Sequence, residues 1–231
     1  FTDAENSPAS QVADQTVVGD LNDEAAIDRF AKQCDVITLE FENIPAATIA
    51  RCRKFAPTYP SASVLATAQD RLIEKTTFQD AGLPVTPFRR VHDSASLIAA
   101  ADELGWPLII KTARSGYDGK GQHRIESADD AKQVQWSAAN EWIAEKCIHF
   151  EKEVSVIVAR TPDGRSETFP IFENTHTNHI LDISVAPANL SDSLSQEAHR
   201  IAGVAAEILD VIGLLCVELF VAGDCIMINE V

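Results

Sequence analysis

The chain has 231 residues, 45% hydrophobic and 23% charged, with a formal net charge of -16. That balance suits a folded protein with a sizeable core and excludes disorder, while the acidity excludes a nucleic-acid backbone as partner, which a basic face would have to bind. No apolar run reaches the roughly 18 residues of a membrane span; the best, VIGLLCVELFV, is broken by Glu218, and no signal peptide opens the sequence, so a cytoplasmic protein is expected.

In chain order, FTDAENSPASQVAD carries no strand ahead of a first helix, so an open α/β unit is expected to start in its middle. Strand-like QTVVG and DVITLEF follow, and residues 1 to about 60 read as the remnant of a parallel-sheet domain ending at FAPTYPSAS. Residues 61 to about 105 read as two helices, one of them TAQDRLIEKTTFQDAG, closed by Gly82. From 106 onward strands such as PLIIK and EVSVIVAR dominate until the helix SDSLSQEAHRIAGVAAEILDVIG. Its Ile201, Val204, Ala205, Ile208, Leu209 and Ile212 keep the spacing of one buried face. The sequence stops at INEV, inside or just after a strand, and is expected to belong to something longer. The alternation of elements predicts a mixed α/β and α+β architecture. Cys34, Cys52, Cys147, Cys216 and Cys225 show no C-x-x-C spacing and read as reduced packing residues.

The stretch KTARSGYDGKGQ places Lys111, Arg114 and Lys120 around Gly116, Gly119 and Gly121. Glycines let backbone N–H groups approach a ligand closely, so such a loop suits an anion, and phosphate is the first choice. Neither the P-loop spacing nor the dinucleotide fingerprint fits. A strand, QHRIE, follows, and a helix begins only at Ser127, so the loop joins strand to strand and is expected to act as a mobile lid over phosphates.

Three further patterns bear on chemistry. Arg71 and Lys75 share one helix face, either as a solvated surface or aimed together at a phosphate tail. Lys111 ends a buried-looking strand, where a lysine is costly unless it meets an anion. In WIAEKCIHFEKEVSV, the backbone of EKCI could read a purine edge and Glu145 or Glu153 could accept from ribose hydroxyls, or both acids could simply end strands at the surface. In CVELFVAGDCIMINEV, a three-residue loop Gly223, Asp224 and Cys225 would set Glu218 opposite Glu230. Like charges so opposed destabilise a sheet and call for a cation, and hard oxygens near a phosphate suit Mg2+, with Asn229 able to add another oxygen.

Together, DVITLEFENIP, QDRLIEK, IIKTARSGYDGKGQ, EKEVSVIVAR, FENTHTNHILDISVAPA and VELFV with INEV resemble, in order, the N5-carboxyaminoimidazole ribonucleotide synthetase family of the ATP-grasp superfamily. The resemblance implies an ATP-grasp domain over 61–231, C-terminally incomplete, with a lid subdomain at about 106–180, preceded by a truncated open α/β domain over 1–60. It implies ATP-dependent carboxylation of 5-aminoimidazole ribonucleotide by bicarbonate through carboxyphosphate, with Mg2+, in a homodimeric ligase of purine biosynthesis. Arg71, Lys111, the lid residues Gly116, Tyr117, Asp118, Gly119, Lys120, Gly121 and Gln122, and His176 are then expected at ATP. Glu145, Lys146, Cys147 and Ile148 would read adenine, Glu153 the ribose, and Glu218 and Glu230 would hold the metal beside Asn229. Glu40, Tyr117 and Asp118 would face the ribonucleotide, with Tyr117, Asp118 and Lys120 in catalytic positions. A formate-dependent glycinamide ribonucleotide transformylase shares the acyl-phosphate logic but not the Y-D-G-K-G-Q lid. A noncatalytic ATP-binding module is the third reading.

Overall fold

Helix α1 (Glu24–Ala31) starts where Asp23 accepts from the N–H groups of Ala25 and Ala26, and buries Ala26, Ile27 and Ala31. The computed structural model describes residues 1–2, 4–114, 121–137, 141–178 and 180–231. Strand β1 (Ile37–Thr38), helix α2 (Ala46–Cys52) and strand β2 (Thr58–Tyr59) follow, and the two strands pair in parallel. The sheet is shorter than the sequence suggests. DVITLEF contributes only Ile37 and Thr38, because the single partner strand ends at Tyr59, before the N–H-less Pro60. QTVVG contributes one parallel bridge, between Val18 and Thr2.

The run expected as one helix, TAQDRLIEKTTFQDAG, is split between α3 (Ala62–Ala68) and α4 (Arg71–Asp80). Asp70 is the reason: it leaves the helical region at φ -133° and its carboxylate caps the N–H groups of Leu72 and Ile73. Gly82, at φ +78°, closes α4 as expected, with Leu83 N–H returning to the Phe78 carbonyl. Strand β3 (Phe88–Val91) and helix α5 (Ser94–Leu104) complete a region that holds three helices and a strand instead of two helices.

Strands β4 (Leu108–Thr112) and β5 (Gln122–Ile125) pair antiparallel, as the strand-to-strand reading of the loop requires. Helix α6 (Ala128–Ala131), capped by Ser127, and strand β6 (Trp142–Lys146) follow, giving the first large sheet the order β3-β6-β4-β5. Leu97 and Ala101 of α5 cover it over Leu108, Ile110 and Ala144.

The second sheet runs β10-β9-β7-β11-β12, with β8 beside β7. Its strands are β7 (Lys152–Arg160), β8 (Ser166–Thr168), β9 (Phe172–Thr177), β10 (Ile180–Val185), β11 (Gly213–Ala222) and β12 (Cys225–Glu230). Helix α7 (Asp192–Ile208) lays Ala198, Ile201, Ala202 and Ala205 on Val154, Val156, Val217 and Leu219, all essentially inaccessible to water. Each such larger side chain contributes about 1.5–3 kcal/mol of burial. The predicted face is only partly right: Ile201, Ala205 and Leu209 are buried, whereas Val204 and Ile208 sit at the margin. The cysteine reading also needs correction. All five are free, but only Cys52 is buried, and Cys216 and Cys225 are exposed because strand alternation turns them away from α7.

Candidate active site

The β11–β12 hairpin brings Glu218 and Glu230 into direct cross-strand register. The pairing was expected from a three-residue loop, but it arises differently. Ala222 pairs with Cys225 around a two-residue turn, Gly223 and Asp224, and a register shift between the Leu219–Ile228 and Glu218–Glu230 pairs leaves Asn229 as an extra residue. This bulge restores the register that the shorter turn would have lost. Burial, and then the negative charge of Glu230, push the Glu218 carboxyl up to about 7; Glu153 and Glu42 add to this and His176 opposes it. Beside the pair, the buried Asn229 Oδ1 has no hydrogen-bond partner among the described residues. Glu218, Asn229, Glu153 and Asn174 line one small cleft.

Two repelling carboxylates and an orphaned amide oxygen form a hard-oxygen donor set that fits a small divalent cation. The described residues hold no group of three or more His, Cys, Asp or Glu side chains that could bind a metal by themselves. A cation there would therefore draw further ligands from phosphate and water, the habit of Mg2+.

About Glu145 the charge balance is opposite. Its side chain is only 3% exposed; Lys111 Nζ donates to Oε2 at 2.9 Å and Lys75 Nζ lies 3.5 Å from Oε1. Burial would raise the Glu145 carboxyl, but the attraction of Lys111 and Lys75 overrides it and holds the group below the usual carboxylate range. The reading of Glu145 as a surface acid is thereby overturned, and the anion that Lys111 requires is this carboxylate. Lys75, 1% exposed, is not on a solvated face: it also donates to the Asn229 carbonyl at 2.8 Å. Burial lowers its ammonium, with Glu145 acting against that shift. Arg71, one turn earlier, reaches the Thr112 carbonyl at 3.2 Å and lies 3.8 Å from Glu230. Arg71 thus serves the hairpin and the end of β4 together.

The ATP-grasp domain model matches residues 76–231, and the ribonucleotide synthetase preATP-grasp domain model matches residues 1–69. The chain belongs to the ATP-grasp family. A similar protein is the N5-carboxyaminoimidazole ribonucleotide synthase of Brucella melitensis, 38% identical over 96% of this chain and 63% of its own length. Among solved structures, N5-carboxyaminoimidazole ribonucleotide synthetase from Thermus thermophilus is 35% identical at a TM-score of 0.92, covering 99% of this chain and 62% of that one. The Aspergillus clavatus N5-carboxyaminoimidazole synthase, in complex with ADP and 5-aminoimidazole ribonucleotide, is 29% identical at a TM-score of 0.88, covering 99% and 61%. The chain thus spans somewhat over 60% of the length of these relatives.

In this ATP-grasp chain, Glu153 of β7, which lines the cleft, has its Oε2 2.5 Å from His176 Nδ1 of β9. In the run 145–148, the N–H groups of Lys146 and Cys147 are given to the carbonyls of Pro87 and Pro107. Ile148 N–H is then the donor left without a protein partner among the described residues. Cys147 Sγ accepts from Arg124 Nη1 at 3.1 Å. Gln122 pairs with Lys111, and Gly121, at φ +74°, returns its carbonyl to Thr112 N–H; a Cβ there would come 3.1 Å from Thr112 Oγ1. Gly116, Tyr117, Asp118, Gly119 and Lys120 lie outside the described residues. Glu40 is exposed in the E-F-E-N segment, which Gln69 ties down by donating to the Glu42 and Ile44 carbonyls. Sequence reasoning missed Glu74, a buried carboxyl that burial pushes up to about 8. Its only sequence signal is adjacency to Lys75 on the helix that Asp70 caps.

Proposed function

We propose that the protein carboxylates 5-aminoimidazole ribonucleotide, using ATP and bicarbonate and giving N5-carboxyaminoimidazole ribonucleotide, ADP and phosphate. The observation that carries this reading is the fold match over 99% of the chain to a protein solved with ADP and that ribonucleotide. The local chemistry agrees: Arg71 lies beside the Glu218–Glu230 pair, and Lys111 stands on Glu145 at the end of the neighbouring β4. Bound Mg2+, held by Glu218 and Glu230 with the Asn229 amide oxygen, would neutralise the charge that develops on the phosphates during transfer.

A bicarbonate oxygen attacks the γ-phosphorus of ATP and displaces ADP, giving carboxyphosphate; its breakdown releases phosphate and delivers the carboxyl carbon to the amine of the ribonucleotide, which loses a proton. Lys111 leaves Glu145 for the phosphates, and Arg71 holds the same tail. Glu153 and His176 take the ribose side of the nucleotide, and Ile148 N–H with the backbone of 145–148 reads adenine. Glu40, Tyr117 and Asp118 face the ribonucleotide. Tyr117, Asp118 and Lys120 complete a closed site that keeps water from the acyl phosphate. A cytoplasmic location is part of this proposal; no described helix is long and apolar enough to cross a membrane. The homodimer has support in edge strand β10, whose Ile180, Leu181, Ile183 and Val185 are each about half exposed.

The test is ADP release with Mg2+, ATP and the ribonucleotide, supplied in turn with bicarbonate and with formate. Stimulation by bicarbonate alone is expected. Stimulation by formate, or by glycinamide ribonucleotide in place of the aminoimidazole, would replace this reading with the transformylase one.

A further inference from the structure

Strand β12 is the last of its sheet, so the backbone groups on its outer edge need partners from outside the ladder. Ile228 finds them in the connector before β3: its N–H donates to the Pro84 carbonyl at 2.8 Å, and its carbonyl accepts from Thr86 N–H at 3.1 Å. Past the bulge at Asn229, the next outward groups are the Asn229 carbonyl and the Val231 N–H, which flank Glu230. No described strand meets them. Two consecutive side chains of α4 do: Lys75 Nζ donates to the Asn229 carbonyl at 2.8 Å, and Glu74 Oε2 accepts from Val231 N–H at 3.3 Å.

Both side chains are 1% exposed, and burying a lysine and a glutamate costs far more than burying two leucines unless their polar ends are used. An apolar pair would fill the space but leave a carbonyl and an N–H unsatisfied on either side of Glu230. Lys75 also reaches Glu145, on the strand where the nucleotide-reading run begins. One ammonium therefore joins β6 to β12.

We propose that Glu74 and Lys75 are positioning residues for the cation site: they grip the backbone on both sides of Glu230 and fix its carboxylate opposite Glu218, with Lys75 tying the strand to Glu145 of β6. This rests on reading Glu218 and Glu230 as the cation ligands. Neither Glu74 nor Lys75 touches the cation, and their effect passes through the strand.

The test measures ATP affinity in EDTA and again at stepped MgCl2 concentrations. Lys75→Met and Glu74→Met open the two sides of the grip, and Glu74→Gln keeps an oxygen acceptor as the conservative variant. Each Met variant is expected to raise the half-saturating Mg2+ concentration about tenfold or more, the usual effect of losing a group that orients a metal ligand. Metal-free ATP affinity should change much less, and Glu74→Gln should stay near the parent in both. An unchanged Mg2+ requirement in the Met variants, or an equal loss with and without Mg2+, would overturn the proposal. Glu230→Gln separates it from the reading beneath: if that variant keeps the parental Mg2+ dependence, the cation site itself is wrong. Amide exchange in the parent covers variants that fail to fold, because Val231 N–H should be protected by Glu74, and free exchange there would also sink the proposal.

Discussion

Two carboxylate centres lie on either side of Lys75, and they carry opposite imbalances of charge. On β6, Glu145 sits between Lys75 and Lys111, and its carboxyl is held below its ordinary range despite full burial. On the β11–β12 hairpin, Glu218 faces Glu230, and its carboxyl is pushed up to about 7. The first centre is complete as to its anion: two lysines more than balance the Glu145 charge, so one can be lent to an incoming phosphate. The second is incomplete, since its oxygens outnumber the positive charge within reach. The contrast separates charge that maintains the fold from charge kept for a ligand, which a list of acidic residues would not do.

Glu145→Gln attacks the complete centre and carries the largest expected effect. It takes the nearest carboxylate from the buried Lys75 and the partly buried Lys111, and removing one partner of a buried pair typically costs about 3–5 kcal/mol. At about 2–4 °C per kcal/mol for a chain of this size, calorimetry of the ligand-free protein should show a melting point lower by roughly 10 °C. A variant as stable as the parent would mean that the lysines around Glu145 are not paired as described.

The smaller effect belongs to the incomplete centre and follows pH. The Glu218 carboxyl has an ordinary value of 4.5 and is raised to about 7 in the fold, so between those values the folded chain keeps a proton that the unfolded chain has released. That stabilisation is fully present below about 4.5 and is lost as pH rises through about 7. Because the group is only partly buried, we expect about 1–2 kcal/mol, less than the full shift implies. Glu74 titrates in an overlapping window, up to about 8, so the check is a difference: Glu218→Gln should flatten the profile of ligand-free stability against pH near 7. An identical profile in parent and variant would remove the repulsion from the account.

The sequence exposed these two centres unequally. Glu218 and Glu230 were legible because alternation and a short turn determine which residues oppose each other, and even a misjudged turn length was compensated by the bulge at Asn229. Glu145 and Lys75 were not legible as a pair, because 70 residues and a change of element separate them, and only the approach of α4 to both sheets brings them within 3.5 Å. The break at Asp70 was readable in hindsight, since Asp preceding a run of helix formers is a cap, but the helical pattern on both sides concealed it. The parallel sheet of the first 60 residues was overextended, because β propensity in VITLEF says nothing about where its partner strand ends.

Thermal melting of the parent, Glu218→Gln and Glu230→Gln, each with ATP alone and with ATP plus Mg2+, tests most directly whether the hairpin is the place kept for a cation. The parent should gain markedly more from ATP with Mg2+ than from ATP alone. Both variants should fold at least as well as the parent without ligand, since each removes one of two repelling charges, and both should lose most of the Mg2+-dependent gain. A parental Mg2+ increment in both variants would contradict the account and move the cation away from these carboxylates.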